Sequence, residues 1–374
     1  QEMLRLAAVL GREFEFEVLV AASGAGDEAL IDSLECASRA QLVEAVSAGR
    51  DVTFAFTHAL IPATLYDGVS ILRRRRLHGR IAAAIERLHP DDFESLAYHY
   101  SEAGDEESAL AYHIQAGARA SAAYANVEAE GHYRAALELV EGKAERADLL
   151  GELGRALNRQ GRYEEAIGVW QEGIALYQAL DDLDGIARLY ARTARAAGLL
   201  GEDSPRGLAI CREGMAAVAG APESPDQADL LHETARACFF NGLPDEAATL
   251  CRRALEMAER MGAVRVEADA LASMGMLPDV PSEEVVSALT RAVELAESAG
   301  LLAQAARAHY NLANYLIDLE ASREHVLRAA ELARQRGDIL DHVWYAIPAG
   351  YKSLLLGDLA AVEEALISLR ELLE

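Results

Sequence analysis

Apolar residues recur at helical spacing from the start of the chain. In "QEMLRLAAVLG" positions 3, 4, 6, 7, 9 and 10 are apolar, one stripe of a 3.6-residue period. "FEFEVLVAASG" and "DEALIDSLECASRAQLVEAV" predict two more helices, the second opened by acidic residues that suit a helix N-terminus. The period then changes. "LVEAVSAGRDVTFAF" holds two short alternating runs around Ser47-Ala48-Gly49-Arg50-Asp51, the pattern of a β-hairpin with a glycine in its loop. "THALIPATLYDGVS" and "RRRRLHGRIAAAIERLH" return to helical spacing, with Pro62 tolerable only in a first helical turn.

Three helices, a hairpin and further helices predict a small winged-helix domain over residues 1–89. From residue 90 to 374 the pattern is different: long helical stretches repeat at a period near forty. "LGELGRALNRQGRYEEAIGVWQEGIALY" is followed by "YARTARAAGLLGEDSPRGLAICREGMAAV" and "LHETARACFFNGLPDEAATLCRRALEMA", with turn glycines at Gly161, Gly201 and Gly242. Each unit places a small residue in its first helix (Gly154, Ala194, Ala235) and an alanine near the start of its second (Ala166, Ala209, Ala247). Two antiparallel helices approach closely only where the facing side chains are Ala or Gly, and aromatics such as Tyr163 and Trp170 are expected to fill the gap to the next pair. The run Leu153, Gly154, Gly161, Tyr163, Ala166 resembles the tetratricopeptide repeat, and looser units flank it on both sides. The fold class predicted is mostly α, a winged helix followed by a right-handed α-solenoid of tetratricopeptide-like helix pairs, each burying its apolar face against its neighbour.

Charge narrows the partners. The net charge is −26, and it is uneven: residues 1–90 hold ten arginines against twelve acidic residues, residues 91–374 hold 25 basic against 49 acidic ones. Such a field repels nucleic acid and anionic membranes. The apolar runs are far shorter than the ~20 residues of a membrane span. The four cysteines, Cys36, Cys211, Cys238 and Cys251, are scattered without metal-ligand spacing, as expected of free thiols in a reducing cytoplasm. There is no signal-peptide pattern, and a start at Gln1-Glu2-Met3 points to a piece of a longer protein.

The string "FTHALIPATLYDGVSILRRRRLHGRIAAAIE" (56–86), preceded by "LAAVLGREFEFEVLVAASG" and followed by tetratricopeptide-like helices, resembles the C-terminal part of bacterial STAND-class signal-transduction ATPases. That group includes regulators with a LuxR-type DNA-binding end and class III nucleotide cyclases. The resemblance implies a cytoplasmic, non-enzymatic region in which the repeats sense an inducer or partner protein and the winged helix relays this to an upstream P-loop module. ATP or ADP would sit on that module, because the chain has no GxxxxGK[ST], so no cofactor is expected here. It also implies a role for His58. In related switches a Met-His-Asp motif touches the phosphate of bound ADP; here the triplet is Thr57-His58-Ala59, so only the histidine matches. The competing reading of His58 is a helix-start residue satisfied by backbone or solvent.

Candidate binding residues lie in the repeats. The residue after each small Gly or Ala is Arg155, Arg195, Arg236, then Met274 and Asn314, with Asn158, Phe239, Phe240, Tyr310 and Asn311 on the same faces. If these line the concave side, they offer bidentate capture of carboxylate or phosphate to a protein, a peptide or a small-molecule inducer. The competing reading pairs each arginine with an acidic residue of the adjacent helix. Arg73, Arg74, Arg75 and Arg76 point in four directions on a helix and are expected to hold domains together rather than to form a basic strip. The third helix carries Asp27, Glu28, Asp32 and Glu35 against Arg39, so direct DNA contact is the alternative function and not the expected one. Tyr98-His99-Tyr100 and His113 read as packing. No catalytic or metal-ligating constellation is predicted, and the pattern permits oligomerisation.

Overall fold

The structure is a computed structural model that describes residues 2–48, 52–200, 205–278 and 280–373. It divides into two compact units, residues 1–142 and 143–374.

The first unit opens with α1 (Glu2–Leu10), β1 (Glu13–Glu15), α2 (Phe16–Ser23) and α3 (Asp27–Arg39). Then follow β2 (Val43–Ala48), β3 (Val52–Phe56), α4 (Leu60–Asp67) and α5 (Ile71–Leu88). Three further helices complete it: α6 (Phe93–Ala103), α7 (Glu106–Ala122) and α8 (Asn126–Leu139). The expected three helices and hairpin are present, and Pro62 lies in the first turn of α4. The loop residues Gly49, Arg50 and Asp51 lie outside the described residues.

One element differs from the sequence reading. "EFE" at 13–15 was expected to be helical and instead forms a strand beside β3, giving the order β1-β3-β2. Its alternation is the reason: Phe14 points into the core, stacks on Phe54 at 6.0 Å and tilts against Phe56 at 5.6 Å, while its glutamate neighbours turn outward. The core runs from the sheet through Leu6, Leu19, Leu34 and Ile81 to Leu96 and Ala109. Because α6 and α7 contribute to that core, the unit ends at 142 and not at the expected boundary of 89.

The second unit is a series of helix pairs. They are α9 (Lys143–Arg159) with α10 (Tyr163–Ala179), α11 (Leu183–Leu199) with α12 (Pro205–Ala217), and α13 (Pro225–Phe240) with α14 (Pro244–Met261). Next come α15 (Val264–Ala272) with α16 (Ser282–Ser298), α17 (Leu302–Ala313) with α18 (Leu319–Gln335), and α19 (Ile339–Leu355) with α20 (Leu359–Leu373). A short 3₁₀ turn, Met274–Met276, extends α15. Gly161 and Gly242 take the left-handed conformation (φ 76° and 74°) that ends one helix and releases the chain into the next. Gly201, expected to do the same, lies outside the described residues.

Small residues set the spacing. A Cβ on Gly154 would run into the Trp170 indole, and one on Gly214 would come within 2.7 Å of Tyr190. Trp170 is buried and donates from Nε1 to the Gly151 carbonyl at 3.1 Å, so it fills its own pair, α9 against α10, and not the gap to the next. No helix among the described residues is long and apolar enough to cross a membrane.

Two glycines of this pair should behave oppositely. Gly154→Ala overpacks the α9–α10 contact and is expected to cost about 1–3 kcal/mol. Gly168, on an open face of α10 with nothing within 4 Å of a Cβ, should become more stable by about 0.5–1 kcal/mol as Gly168→Ala. Urea denaturation of both variants checks this; equal effects would refute the close-approach argument.

Candidate functional site

The charged residues of the second unit's first helices fall on single faces. In α11 Arg188, Arg192 and Arg195 stand at i, i+4 and i+7; in α13 Asp226, Asp229 and Glu233 stand at i, i+3 and i+7. Arg265 and Asp269 share a face of α15, and Gln304, Arg307 and Asn311 share one of α17. α11 packs on α13, α13 on α15 and α15 on α17. First helices that touch across successive pairs lie on the inside of the array's curve.

The result is one ion network across four helices. Arg195 donates to Glu233 at 2.6 Å and to Asp229 at 3.3 Å. Arg265 approaches the same Asp229 from the other side, at 2.7 and 3.2 Å. Arg307 donates to Asp269 at 3.0 Å and also to the Ser273 hydroxyl. Toward the start of the array, Arg188 donates to Asp226 at 3.2 Å and to the Tyr177 hydroxyl at 3.0 Å, and Arg192 donates to the Gly151 carbonyl at 3.2 Å.

Exposure separates the two signs. The side chains of Glu233, Asp229 and Asp269 are 4–7% exposed, whereas those of Arg195, Arg265 and Arg307 are 34%, 38% and 21% exposed. The carboxylates form the floor and the guanidiniums reach the solvent above them. Burial alone would raise the carboxyl of Glu233, but Arg195, Arg236 and His232 hold it well below the usual range. Asp269 is held low against the same burial by Arg307, His232 and Arg195. Burial pulls Arg192 down to about 10, with Glu152 opposing it, and burial lowers Arg307, with Arg236 adding to the effect.

Asp229, His232 and Glu233 bring one ligand atom each within 4.8 Å of one another, the spacing a metal ion would need. The cation already there is a guanidinium. Arg195 lies between Asp229 and Glu233, Arg265 takes the other Asp229 oxygen, and His232 engages the Ser273 hydroxyl at 2.9 Å through Nε2. A divalent ion would have to displace these positive charges, so the donor set does not fit a metal.

The residues singled out from sequence are distributed as follows. Arg155 is half-buried and donates to Glu152 at 2.8 Å; Arg236 pairs with Glu233 at 3.4 Å. Asn158 is half-buried on α9, and Phe239 is half-buried beside the exposed Phe240 in a T-shaped contact of 5.5 Å. Asn311 donates to the Ala272 carbonyl at 2.8 Å. α15 and α17 stop at Ala272 and Ala313, so Met274 falls in the 3₁₀ turn and Asn314 caps α17 as an exposed residue. The arginine series is continued instead by Arg265 and Arg307, which the search for a residue after each small Gly or Ala passed over. The i, i+4, i+7 spacing of Arg188, Arg192 and Arg195 and the matching acids of α13 were the signal that could have found them.

In the first unit His58 is exposed between β3 and α4, its Nδ1 accepting from the Leu60 amide at 3.4 Å. The arginine run occupies the first turns of α5. Arg74 donates to the Val69 carbonyl at 2.9 Å, lies 3.7 Å from Asp67 and stacks over Tyr66 at 4.2 Å. Arg75 lies against Gly104 at the α6–α7 turn, and Arg73 and Arg76 are exposed.

No protein-family model matches the chain, and no curated protein matches it. Solved structures do. A Rap protein complexed with Competence and Sporulation Factor aligns over 98% of this chain and 97% of its own, with a TM-score of 0.54 and 14% identity. Aspartyl phosphate phosphatase F from Bacillus subtilis aligns over 84% and 87%, at 0.52 and 10%. A STAND protein with a tetratricopeptide repeat sensor from Pyrococcus horikoshii covers 99% of this chain and 63% of its own, at 0.44 and 12%. The first two establish the fold as a tetratricopeptide-like α-solenoid.

Removing one buried partner should expose the network's energetics. Glu233→Gln leaves Arg195 and Arg236 without their shared carboxylate and is expected to cost about 3–5 kcal/mol in urea denaturation. The wild-type contribution has a definite sign with pH. A carboxylate held below its unfolded value of 4.5 contributes above that pH and loses its contribution as the pH falls through the folded value. Glu233→Gln should therefore flatten the acid limb below about pH 4.5; an unchanged limb would remove Glu233 from the account.

Proposed function

We propose that the repeat array is a non-enzymatic interaction region whose inner face takes an acidic peptide or an acidic segment of a partner protein. The observation that carries this is the layering of the inner face, exposed guanidiniums over buried carboxylates, in a chain of net charge −26. An anionic ligand is repelled by most of such a surface and attracted where arginines face solvent. The carboxylates beneath fix each guanidinium in place, so a ligand meets donors already oriented. The Rap protein that shares the fold was solved complexed with Competence and Sporulation Factor, which supports ligand capture by a repeat array of this kind.

The finer reading concerns residues 1–89. Helix, strand, helix, helix and hairpin with the sheet order β1-β3-β2 support a winged helix. With the STAND resemblance, this favours a coupling role: the array reports to a nucleotide-bearing module, and His58, exposed ahead of α4, contacts its ligand. The DNA-contacting alternative is disfavoured by α3, where Asp27, Glu28, Asp32 and Glu35 are all exposed and Arg39 lies within 4.0 Å of Glu35.

A fluorescein-labelled decapeptide rich in Asp and Glu tests the inner face by fluorescence anisotropy. Binding should weaken at least about tenfold with the double variant Arg195→Ala, Arg236→Ala and fall with added salt. Undiminished binding by a folded double variant would overturn the assignment, as would equal binding of a Lys-rich control peptide.

A further inference from the structure

Six of the ten histidines are arranged as three ring-to-ring pairs, each joining two consecutive helices. His78 of α5 and His99 of α6 approach Nδ1 to Nδ1 at 2.9 Å, His113 of α7 and His132 of α8 at 3.0 Å, and His309 of α17 and His325 of α18 at 2.7 Å. His78 and His99 are buried, as is His309. In the first unit the pairs belong to a longer thread. The Tyr66 hydroxyl of α4 meets His78 Nε2 at 3.3 Å, and Ser101 of α6 meets His113 Nε2 at 3.1 Å. Polar contacts thus stitch α4 through α8 in succession.

The neighbours set the tautomers. The Ser101 hydroxyl donates to the Ala97 carbonyl at 2.7 Å, so its oxygen accepts from His113 Nε2–H. His113 Nδ1 is then the acceptor and His132 Nδ1–H the donor. The Glu297 carboxylate, 3.3 Å from His309 Nε2, can only accept, which likewise makes His309 Nδ1 the acceptor and His325 the donor. Each such pair can gain one proton on the donor ring's far nitrogen and keep its hydrogen bond. A second proton places N–H against N–H within 3 Å and joins two cations.

We propose that these pairs are proton-operated latches between helices: each holds with no more than one ring charged, and a second proton on a pair parts its two helices.

The surroundings support this. Tyr66, Arg74, Tyr98, Glu102 and Asp92 face the first pair, and Glu94 and Ser101 the second. Glu297, Glu324 and Arg328 face the third. Despite those carboxylates, burial lowers all six rings from 6.5, His99 to about 4. A histidine lowered on folding takes up its proton more readily in the unfolded chain. Its pair therefore loses stability as the pH falls from 6.5 toward 4, and the loss is complete below both values.

The test is an imidazole ¹⁵N NMR titration of the wild-type chain from pH 7.5 to 4, with melting curves over the same range. Charging of one ring per pair well before the other is expected, with the melting temperature falling as the second ring charges. His99→Gln, His132→Gln and His325→Gln combined should shrink the fall between pH 6.5 and 4.5. If that triple variant does not fold, His132→Gln alone, in a less buried pair, gives the comparison. Six rings titrating independently near 6.5, or a melting profile identical in the variant, would overturn the proposal.

Discussion

Asp229 accepts from Arg195 of α11 on one side and from Arg265 of α15 on the other, so three successive pairs of the array meet at one buried carboxylate. A charge at 7% exposure is costly unless matched, and the match here comes from neighbouring pairs and not from its own helix. The same constraint repeats at Glu233 with Arg195, and at Asp269 with Arg307. Each carboxylate therefore fixes the spacing between two first helices, and the curvature of the inner face follows from ion pairs as much as from apolar packing.

Apolar packing sets the complementary distance within each pair. Gly154 against Trp170, Gly173 against Leu189 and Gly214 against Tyr190 each leave space that a methyl group would fill. A large side chain on one helix thus seats in a gap made by glycine on its neighbour. The second helices carry the alanine faces of this packing, with Ala166, Ala247 and Ala254 almost wholly buried. Close contact inside each pair and ion pairing between first helices are separate devices, so changes to one leave the other's geometry in place.

The repeating helix pairs were legible in the sequence because their period is long, their turns carry glycine, and Gly154, Gly161 and Tyr163 keep their spacing. The strand at Glu13–Glu15 was not, since three residues of alternation are too short to stand out beside a helical run. The extent of the first unit was hidden for another reason. Leu96 and Ala109 look like ordinary positions of a helix pair, and only the packing shows that they complete the core of the sheet domain. At the candidate site the arginines of α11 and α13 could be found by aligning repeats. Arg265 and Arg307 could not, because α15 and α17 are shorter and the aligned positions pass beyond their ends. The partner of each arginine depends on which helices adjoin, which a repeat pattern leaves open.

The inner face combines two properties that are seldom found together. Its arginines are held by buried carboxylates, so their net charge is largely balanced on site, yet the groups that meet solvent are cationic donors. The rest of the chain supplies the long-range field, acidic nearly everywhere from residue 91 onward. A ligand with scattered negative charge gains little at the outer surface and has oriented guanidiniums to meet on the inner one. A carboxylate that drew Arg195 toward itself would also weaken its hold on Glu233 and Asp229, the two links that set the angle between α11 and α13. Ligand capture and array curvature are thus coupled through the same side chain, and the energy available for that coupling is the cost of leaving a buried carboxylate without its partner.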